Sequence, residues 1–379
     1  MVHVAGTNGK GSVCAMLDAV LSAEGLRVGR FTSPHLQHVN ERIRVGGQPI
    51  GDPQLSQLLE QVEATAADFV HELPEGASPL TYFELVTVAG LLHFARSELD
   101  LCVIEVGLGG RLDATNVVDP RVCAVSSISL DHTDRLGHDL GAIAFEKAGI
   151  IKAGVPVVVG RLPKVASSVI RSVAADREAP VRFLGEDFDT EGQTEDFNWC
   201  GRDGLEGLRL ALPGQHQVDN AGVALGVIEE LREQGFEISD RAIRAGLATT
   251  RHPGRLEWMA PDLLVDGAHN AEGAQALSAY LGSLPRDRPR TLLLGSSDDK
   301  DVRSVASALG AQVDRVFTTR CAHHRACEPG AVAAELVDLG LPVMPAGPIE
   351  DALPMARDGS LVIVAGSLFL AGAVRDIVA

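Results

Sequence analysis

A chain of 379 residues is long for one hydrophobic core and points to two domains. With 45% hydrophobic and 22% charged residues it reads as a globular protein, neither disordered nor fibrous. A formal net charge of −18 argues against nonspecific binding to nucleic acid or anionic membrane, and any anionic substrate would need a locally basic site.

Forty glycines and only 4% aromatics suit an α/β nucleotide-binding fold with many close backbone approaches. The six cysteines are scattered without a C-x-x-C pair, and Cys102 lies in the apolar run LCVIEV as a small buried hydrophobe. The chain enters a strand at once, without a basic or signal-like leader, and its most apolar stretch (361–374) is short for a membrane span. A cytoplasmic monomer is expected, with no nucleic-acid or membrane partner.

VHVAG predicts a short buried strand, and residues 11–24 a helix closed by Gly25. LRVGRFTSP is a second strand, ERIRVGGQPI a hairpin, and residues 53–72 and 81–97 carry helical periodicity. LCVIEV (101–106) and RVCAVSSIS (121–129) are continuous apolar strands, which indicates a parallel sheet covered by helices. The polar stretch 185–212 predicts antiparallel strands at the sheet edge, and 216–235 and 239–249 predict helices. From DLLVDGAHN onward strands and helices alternate again, with helices at 271–284, 301–312 and 330–339. The fold expected is α/β: a P-loop-type, mainly parallel ATPase domain over 1–252, then a smaller Rossmann-like domain over 253–379.

GTNGKGS (6–12) joins the first strand to the first helix, where backbone N–H groups and the helix N-terminus favour a phosphate. The usual phosphate loop, G-x-x-x-x-G-K-[ST], puts its hydroxyl directly after the lysine. Here Gly11 separates Lys10 from Ser12. Lys10 can reach outer phosphates, and Ser12 or Thr7 can support Mg²⁺.

Glu105 ends a buried strand, where open α/β sheets bind ligands, and a carboxylate there needs a cation. An ion pair with Arg111 or a metal would serve. SLDHTD ends the next strand the same way, so two neighbouring strands are expected to deliver Glu105 and His132 to one edge beside the phosphate loop, a donor set suited to Mg²⁺ or Mn²⁺. Glu146-Lys147 in EKAGI reads as an ordinary helix-surface pair. CAHHRAC (321–327) lacks the second ligand pair of a structural zinc site and reads as a loop.

The ordered run GTNGKGS, FTSPHL, ERIRV, LTYFE, EVGLGGRLDATN, LDHTDRLG, EKAGI, PGRLE, DGAHN and DKD resembles folylpolyglutamate synthases and the bifunctional dihydrofolate synthases. These are ATP-dependent amide ligases of the Mur ligase family. The resemblance covers nearly the whole chain, and it accounts for the irregular loop, since this family places a small residue after the lysine. By similarity Gly9, Lys10, Gly11 and Ser12 hold ATP phosphates, and Ser33, Glu105 and His132 hold Mg²⁺. Lys147 matches a lysine that the family carbamylates, which would make it an oxygen donor for a second metal ion. Asn220, Arg255 and Asp266, with His269 close by, match ATP contacts. Thr81, Tyr82, Phe83 and Glu84, with Leu112, Asp113 and Ala114, match the pterin site.

The implied reaction adds L-glutamate to folate or dihydropteroate through an acyl phosphate, with Lys10, Lys147 and His132 in catalytic roles. Arg255 on the second domain implies closure around ATP. Arg42 and Arg44, near TSPH, are candidates for substrate carboxylates. Relatives carry a few tens of residues before the phosphate loop where this chain has five, so the sequence start is expected either to lie upstream or to lack part of the pterin pocket. The competing classes are a non-ligase P-loop NTPase or kinase, and a homologue that binds nucleotide without chemistry.

Overall fold

The computed structural model describes residues 1–69, 80–298 and 300–378. The predicted helical residues 70–72 and Asp299 of the DKD motif lie outside that set. The chain divides into two compact units, Met1–Ala211 with Gln217–Arg251, and Leu212–His216 with His252–Ala379.

Eight strands build the main sheet of the first unit: β1 (Val2–Ala5), β2 (Val28–Phe31), β3 (Ile43–Val45), β4 (Gln48–Pro49), β5 (Leu101–Glu105), β6 (Val122–Val125), β7 (Val157–Val159) and β8 (Val181–Phe183). Their order is β4-β3-β2-β5-β1-β6-β7-β8. All pairings are parallel except β2–β3 and β3–β4, which form the hairpin expected from ERIRVGGQPI. β1, β5, β6 and β7 are buried at every residue, so both faces must be covered; mostly Val, Ile and Cys supply the apolar surface this needs, with His3 and Glu105 the polar exceptions.

The first unit's helices are α1 (Lys10–Ala23), α2 (Asp52–Phe69), α3 (Tyr82–Ala95), α4 (Thr133–Leu136), α5 (Leu140–Ala148), α6 (Lys164–Asp176), α7 (His216–Glu233) and α8 (Asp240–Thr249). Phe31, Ile43, Leu55, Leu58 and Val86 belong to one buried cluster, and Val125, Ile143, Val157, Ile170 and Phe183 to another.

The stretch 185–212 departs from expectation. β9 (Asp189–Gln193), β10 (Asp196–Cys200) and β11 (Leu205–Leu208) form a separate antiparallel sheet rather than an edge of the large one. Alternating burial on β10 gives this sheet one apolar face. Trp199 on that face donates from Nε1 to Glu229 of α7 at 2.8 Å. The same carboxylate accepts from Arg182 at 2.9 Å, so the small sheet is anchored through a buried charge that has its partners.

The second unit has its own six-stranded sheet, ordered β12-β13-β17-β14-β15-β16. Its strands are β12 (Glu257–Ala260), β13 (Leu263–Val265), β14 (Arg290–Leu294), β15 (Arg315–Arg320), β16 (Val343–Pro348) and β17 (Leu361–Ala365). All neighbours are parallel except β12 and β13. The helices are α9 (Ala271–Ser283), α10 (Val302–Leu309), α11 (Pro329–Glu335), α12 (Ile349–Ala356) and α13 (Leu368–Val378). Each unit is thus α/β and mainly parallel. No helix among the described residues is long and apolar enough to cross a membrane.

Candidate active site

Gly9 caps α1 in the left-handed region, φ 82°, ψ −15°. A Cβ there would stand 2.2 Å from Asn220 Oδ1, so both backbone and space demand glycine. No acidic residue occupies the first turn of α1, which leaves its amide groups and positive end suited to an anion. The loop is clamped from the far side of β1 by the segment after β6. Thr7 N–H donates to Ser127 O at 2.8 Å, Asn8 N–H to Ser127 Oγ at 3.0 Å, and Ser126 Oγ to Asn8 O at 2.6 Å. Sequence reading missed these serines, although SSIS after an apolar strand was their signal.

Lys10 Nζ donates to the carbonyls of Gly6 and Thr7, each at 3.0 Å. Lys147 Nζ donates to the same Gly6 oxygen at 2.8 Å. Lys147 is only 4% exposed, which corrects the reading of Glu146-Lys147 as a surface pair. α5 turns Lys147 inward, while Glu146 accepts from Arg111 at 2.8 Å. That pairing also removes the expected alternative of a Glu105–Arg111 ion pair.

Glu105 is 5% exposed and lies level with Val4, beside the start of the loop. Its Oε2 accepts from the backbone N–H of Ser33 at 3.1 Å, so two of the expected metal residues meet. His132 arrives differently from expectation. Strands β5 and β6 are not neighbours in the sheet, because β1 lies between them, and the phosphate loop therefore rises between Glu105 and the segment carrying His132. His132 is the N-cap of α4 at φ 49°, a left-handed conformation uncommon outside glycine, with Nε2 3.9 Å from Asp131 Oδ1.

Among the described residues no group of three or more His, Cys, Asp or Glu could cage a metal. One buried carboxylate with a serine and an imidazole nonetheless fits Mg²⁺, which takes one or two protein ligands and completes its shell with phosphate and water.

The stretch matched to the pterin site is partly a scaffold. Thr81 and Glu84 form a reciprocal capping box at the start of α3, Thr81 N–H to Glu84 Oε2 at 2.7 Å and Glu84 N–H to Thr81 Oγ1 at 3.2 Å. Those hydrogen bonds hold the Glu84 carboxyl below its usual range. Tyr82 is exposed, and Phe83 lies 6.2 Å from Phe31, ring centre to ring centre. Asp113 folds its own loop, accepting from Leu108 N–H at 2.8 Å and from the Thr115 hydroxyl at 2.5 Å, and this leaves Leu112 outermost. Ala114 opens the short helical turn that follows.

His3, fully buried on β1, meets Thr115 Oγ1 at 2.9 Å. The threonine proton goes to Asp113, so His3 Nε2 is the donor and the ring is neutral. Burial, with Lys152 nearby, pushes its pKa down to about 3.

In the second unit Asp266 ends the loop-facing side of β13. It accepts from Leu256 N–H and Ala268 N–H, each at 2.8 Å. Arg255 borders Gly267, where a Cβ would lie 2.7 Å from its guanidinium, and His269 Nδ1 lies 2.8 Å from Gly267 O. Asp266 and His269 therefore lie in one turn after β13, and Arg255, from before β12, packs against it. At the ends of β14, β15 and β17, Ser296, Ser297, Ser367 and Phe369 line a small cleft. His323 of the CAHHRAC loop stacks on Phe369 there, 3.8 Å between centres at 12°.

Two family models match the chain, the Mur ligase middle domain over residues 4–228 and the Mur ligase glutamate ligase domain over residues 254–368. A folylpolyglutamate synthase of Lacticaseibacillus casei is 35% identical, over 99% of this chain and 89% of that one. A probable bifunctional folylpolyglutamate synthase/dihydropteroate synthase of Halobacterium salinarum is 36% identical over 99% of this chain, which spans only 46% of that longer protein. Escherichia coli FolC, solved with DHPP and ADP, superposes with a TM-score of 0.89 at 34% identity, covering 100% of this chain and 88% of that one. A bifunctional folylpolyglutamate synthase/dihydrofolate synthase solved with Mn, AMPPNP and L-glutamate gives 0.87 at 35% identity, covering 99% and 88%. The chain belongs to the Mur ligase family, in its group of ATP-dependent folylpolyglutamate and dihydrofolate synthases.

Proposed function

We propose that this protein joins L-glutamate to the carboxylate of a pterin acceptor, folate-type or dihydropteroate, with ATP as the activating substrate. The observation that carries the reading is the glycine phosphate loop between Glu105 and His132, with Lys10 and Lys147 both turned onto Gly6. The acceptor carboxylate oxygen attacks the γ-phosphorus and ADP leaves, giving an acyl phosphate. The glutamate amine then attacks the acyl carbon and loses a proton, and phosphate departs as the amide forms.

Gly9, Lys10, Gly11 and Ser12 hold the phosphates through backbone N–H groups and one ammonium, with Asn220 beside Gly9. Arg255, Asp266 and His269 join the nucleotide site by resemblance alone. Mg²⁺, held by Glu105, Ser33 and His132, supplies charge neutralisation at the phosphates when bound. A second ion is assigned to Lys147 after carbamylation. The carbamate nitrogen keeps one N–H, so the bond to Gly6 survives the modification. Tyr82, Phe83, Leu112 and Ala114 are the surfaces offered to the acceptor, while Thr81, Glu84 and Asp113 shape them. The first unit is the ATP-binding domain and the second the glutamate ligase domain. The enzyme works as a cytoplasmic monomer.

The test is product formation from labelled L-glutamate, ATP and Mg²⁺ with dihydropteroate and with tetrahydrofolate, each acceptor alone. One ADP per amide with either acceptor is expected. ATP hydrolysis indifferent to both acceptors and to glutamate would instead establish a P-loop NTPase.

A further inference from the structure

Resting on that reading, we propose that Arg42, flanked by Tyr82, is the receptor for the acceptor's carboxylate. Arg42 closes the 3₁₀ turn Val39–Arg42 and is only 7% exposed. Its Nε donates to His35 Nδ1 at 2.9 Å, which fixes the plane of the guanidinium, and its charge lies 5.6 Å from the centre of the Tyr82 ring. Among the described residues this is the one hydrogen bond of its side chain, and no carboxylate forms an ion pair with it. The two terminal nitrogens therefore keep the parallel donors that bind a carboxylate in a two-pronged fashion.

The nearby acids are engaged elsewhere. Glu41 accepts from the backbone N–H groups of Leu36, Gln37 and His38, and Glu105 from that of Ser33. The neighbouring arginines are engaged too: Arg30 pairs with Asp18 at 3.1 Å, and Arg44 binds the carbonyls of Glu41 and Gly47. Arg42 alone of the three is buried with its fork uncommitted: Glu41 and Glu105 act on it only through space, and a ligand carboxylate would supply the directly bonded partner that a buried guanidinium favours. In a chain of net charge −18 it provides the local cation that an anionic acceptor needs. Tyr82, half exposed on the same side, offers an aromatic face to the planar group next to the carboxylate. That carboxylate is either the benzoate of dihydropteroate or one on the glutamyl tail of a folate.

Calorimetric titration of the full chain, with Mg²⁺ and a non-hydrolysable ATP analogue present, separates these cases. The probes are dihydropteroate, tetrahydrofolate and their carboxamide analogues. The wild type is expected to bind at least one acid about tenfold or more tightly over its amide, and Arg42→Gln to remove that preference. Arg42→Lys should restore only part of it, and affinity for the nucleotide analogue should stay within about twofold. The acid whose preference is lost identifies the source of the carboxylate. An Arg42→Gln protein that keeps the acid-over-amide ratio, or loses nucleotide affinity equally, overturns the assignment while leaving the ligase reading intact. A wild type that binds none of the acids overturns the ligase reading and the assignment together. If Arg42→Gln fails to fold, His35→Ala, which frees the guanidinium without deleting it, should cut the preference about threefold, and an unchanged ratio counts against the proposal.

Discussion

Lys10 and Lys147, one at the start of α1 and one at the end of α5, place their side-chain nitrogens on a single oxygen, the carbonyl of Gly6. The Lys10 ammonium, beside the acid-free first turn of α1, offers positive charge that complements a phosphate. ADP and ATP should therefore raise the unfolding temperature of the wild type in a concentration-dependent way. Lys10→Ala should lower kcat/KM by about 10²- to 10³-fold, because the charge it neutralises grows in the transition state. Lys147→Ala should do the same, and added small carboxylates should recover part of its activity if a carbamate is the working form. Full activity in Lys147→Ala would remove the carbamate from the mechanism.

Glu105→Gln keeps the volume and an acceptor for Ser33 N–H but deletes the charge. The Mg²⁺ concentration needed for half-maximal rate should rise about 10- to 100-fold, the range found when supports of a metal site are disturbed. An unchanged Mg²⁺ dependence would take Glu105 out of the metal site.

His3 gives the fold a pH dependence of its own. Its folded pKa, about 3, lies below the unfolded value of 6.5, so the unfolded chain takes up the proton first as pH falls. The stability it contributes is present above pH 6.5 and is lost on acidification towards pH 3. Between pH 7 and pH 5 that loss amounts to about 2 kcal/mol. Urea unfolding of the wild type should show it, and His3→Gln, which keeps a donor for Thr115, should flatten the profile by this amount.

Asp266 holds two buried backbone amides, and one belongs to Leu256, whose φ is 45°. Asp266→Ala should cost about 3 kcal/mol of stability in the absence of any ligand, as two donors lose their partner. Equal stability of wild type and variant, measured by denaturant titration, would leave Asp266 with a ligand-binding role only.

Much of this site could be read directly from residue types. Gly9 followed by Lys10 is legible because glycines joining a buried strand to a helix mark a phosphate loop, whereas the closeness of Asn220 to Gly9 leaves no sequence signal. Glu105 is legible because a carboxylate ending an apolar strand requires a reason. Lys147 is not, since nothing in helix periodicity distinguishes it from Glu146 one position earlier, and only the packing of α5 turns it towards Gly6. The placement of β1 between β5 and β6 is equally hidden, because strand order depends on crossovers that leave no local mark. β16 contains Pro345 and Pro348, which argue against a central strand, and it survives only as an edge strand paired with β15. Strand propensity at 185–212 was visible, but which sheet those strands join depends on Trp199 meeting Glu229.

The middle of the large sheet is made from residues 2–5, with Val2 opposite Val103 on one side and Val122 on the other. During synthesis this strand leaves the ribosome long before either flank exists. Loop closure over that separation must precede any reward from pairing, so the phosphate loop cannot take its shape until β5 and β6 have emerged and enclosed β1. Nucleotide binding would then report on completed assembly of the sheet, and a nascent chain stalled before β6 should have none.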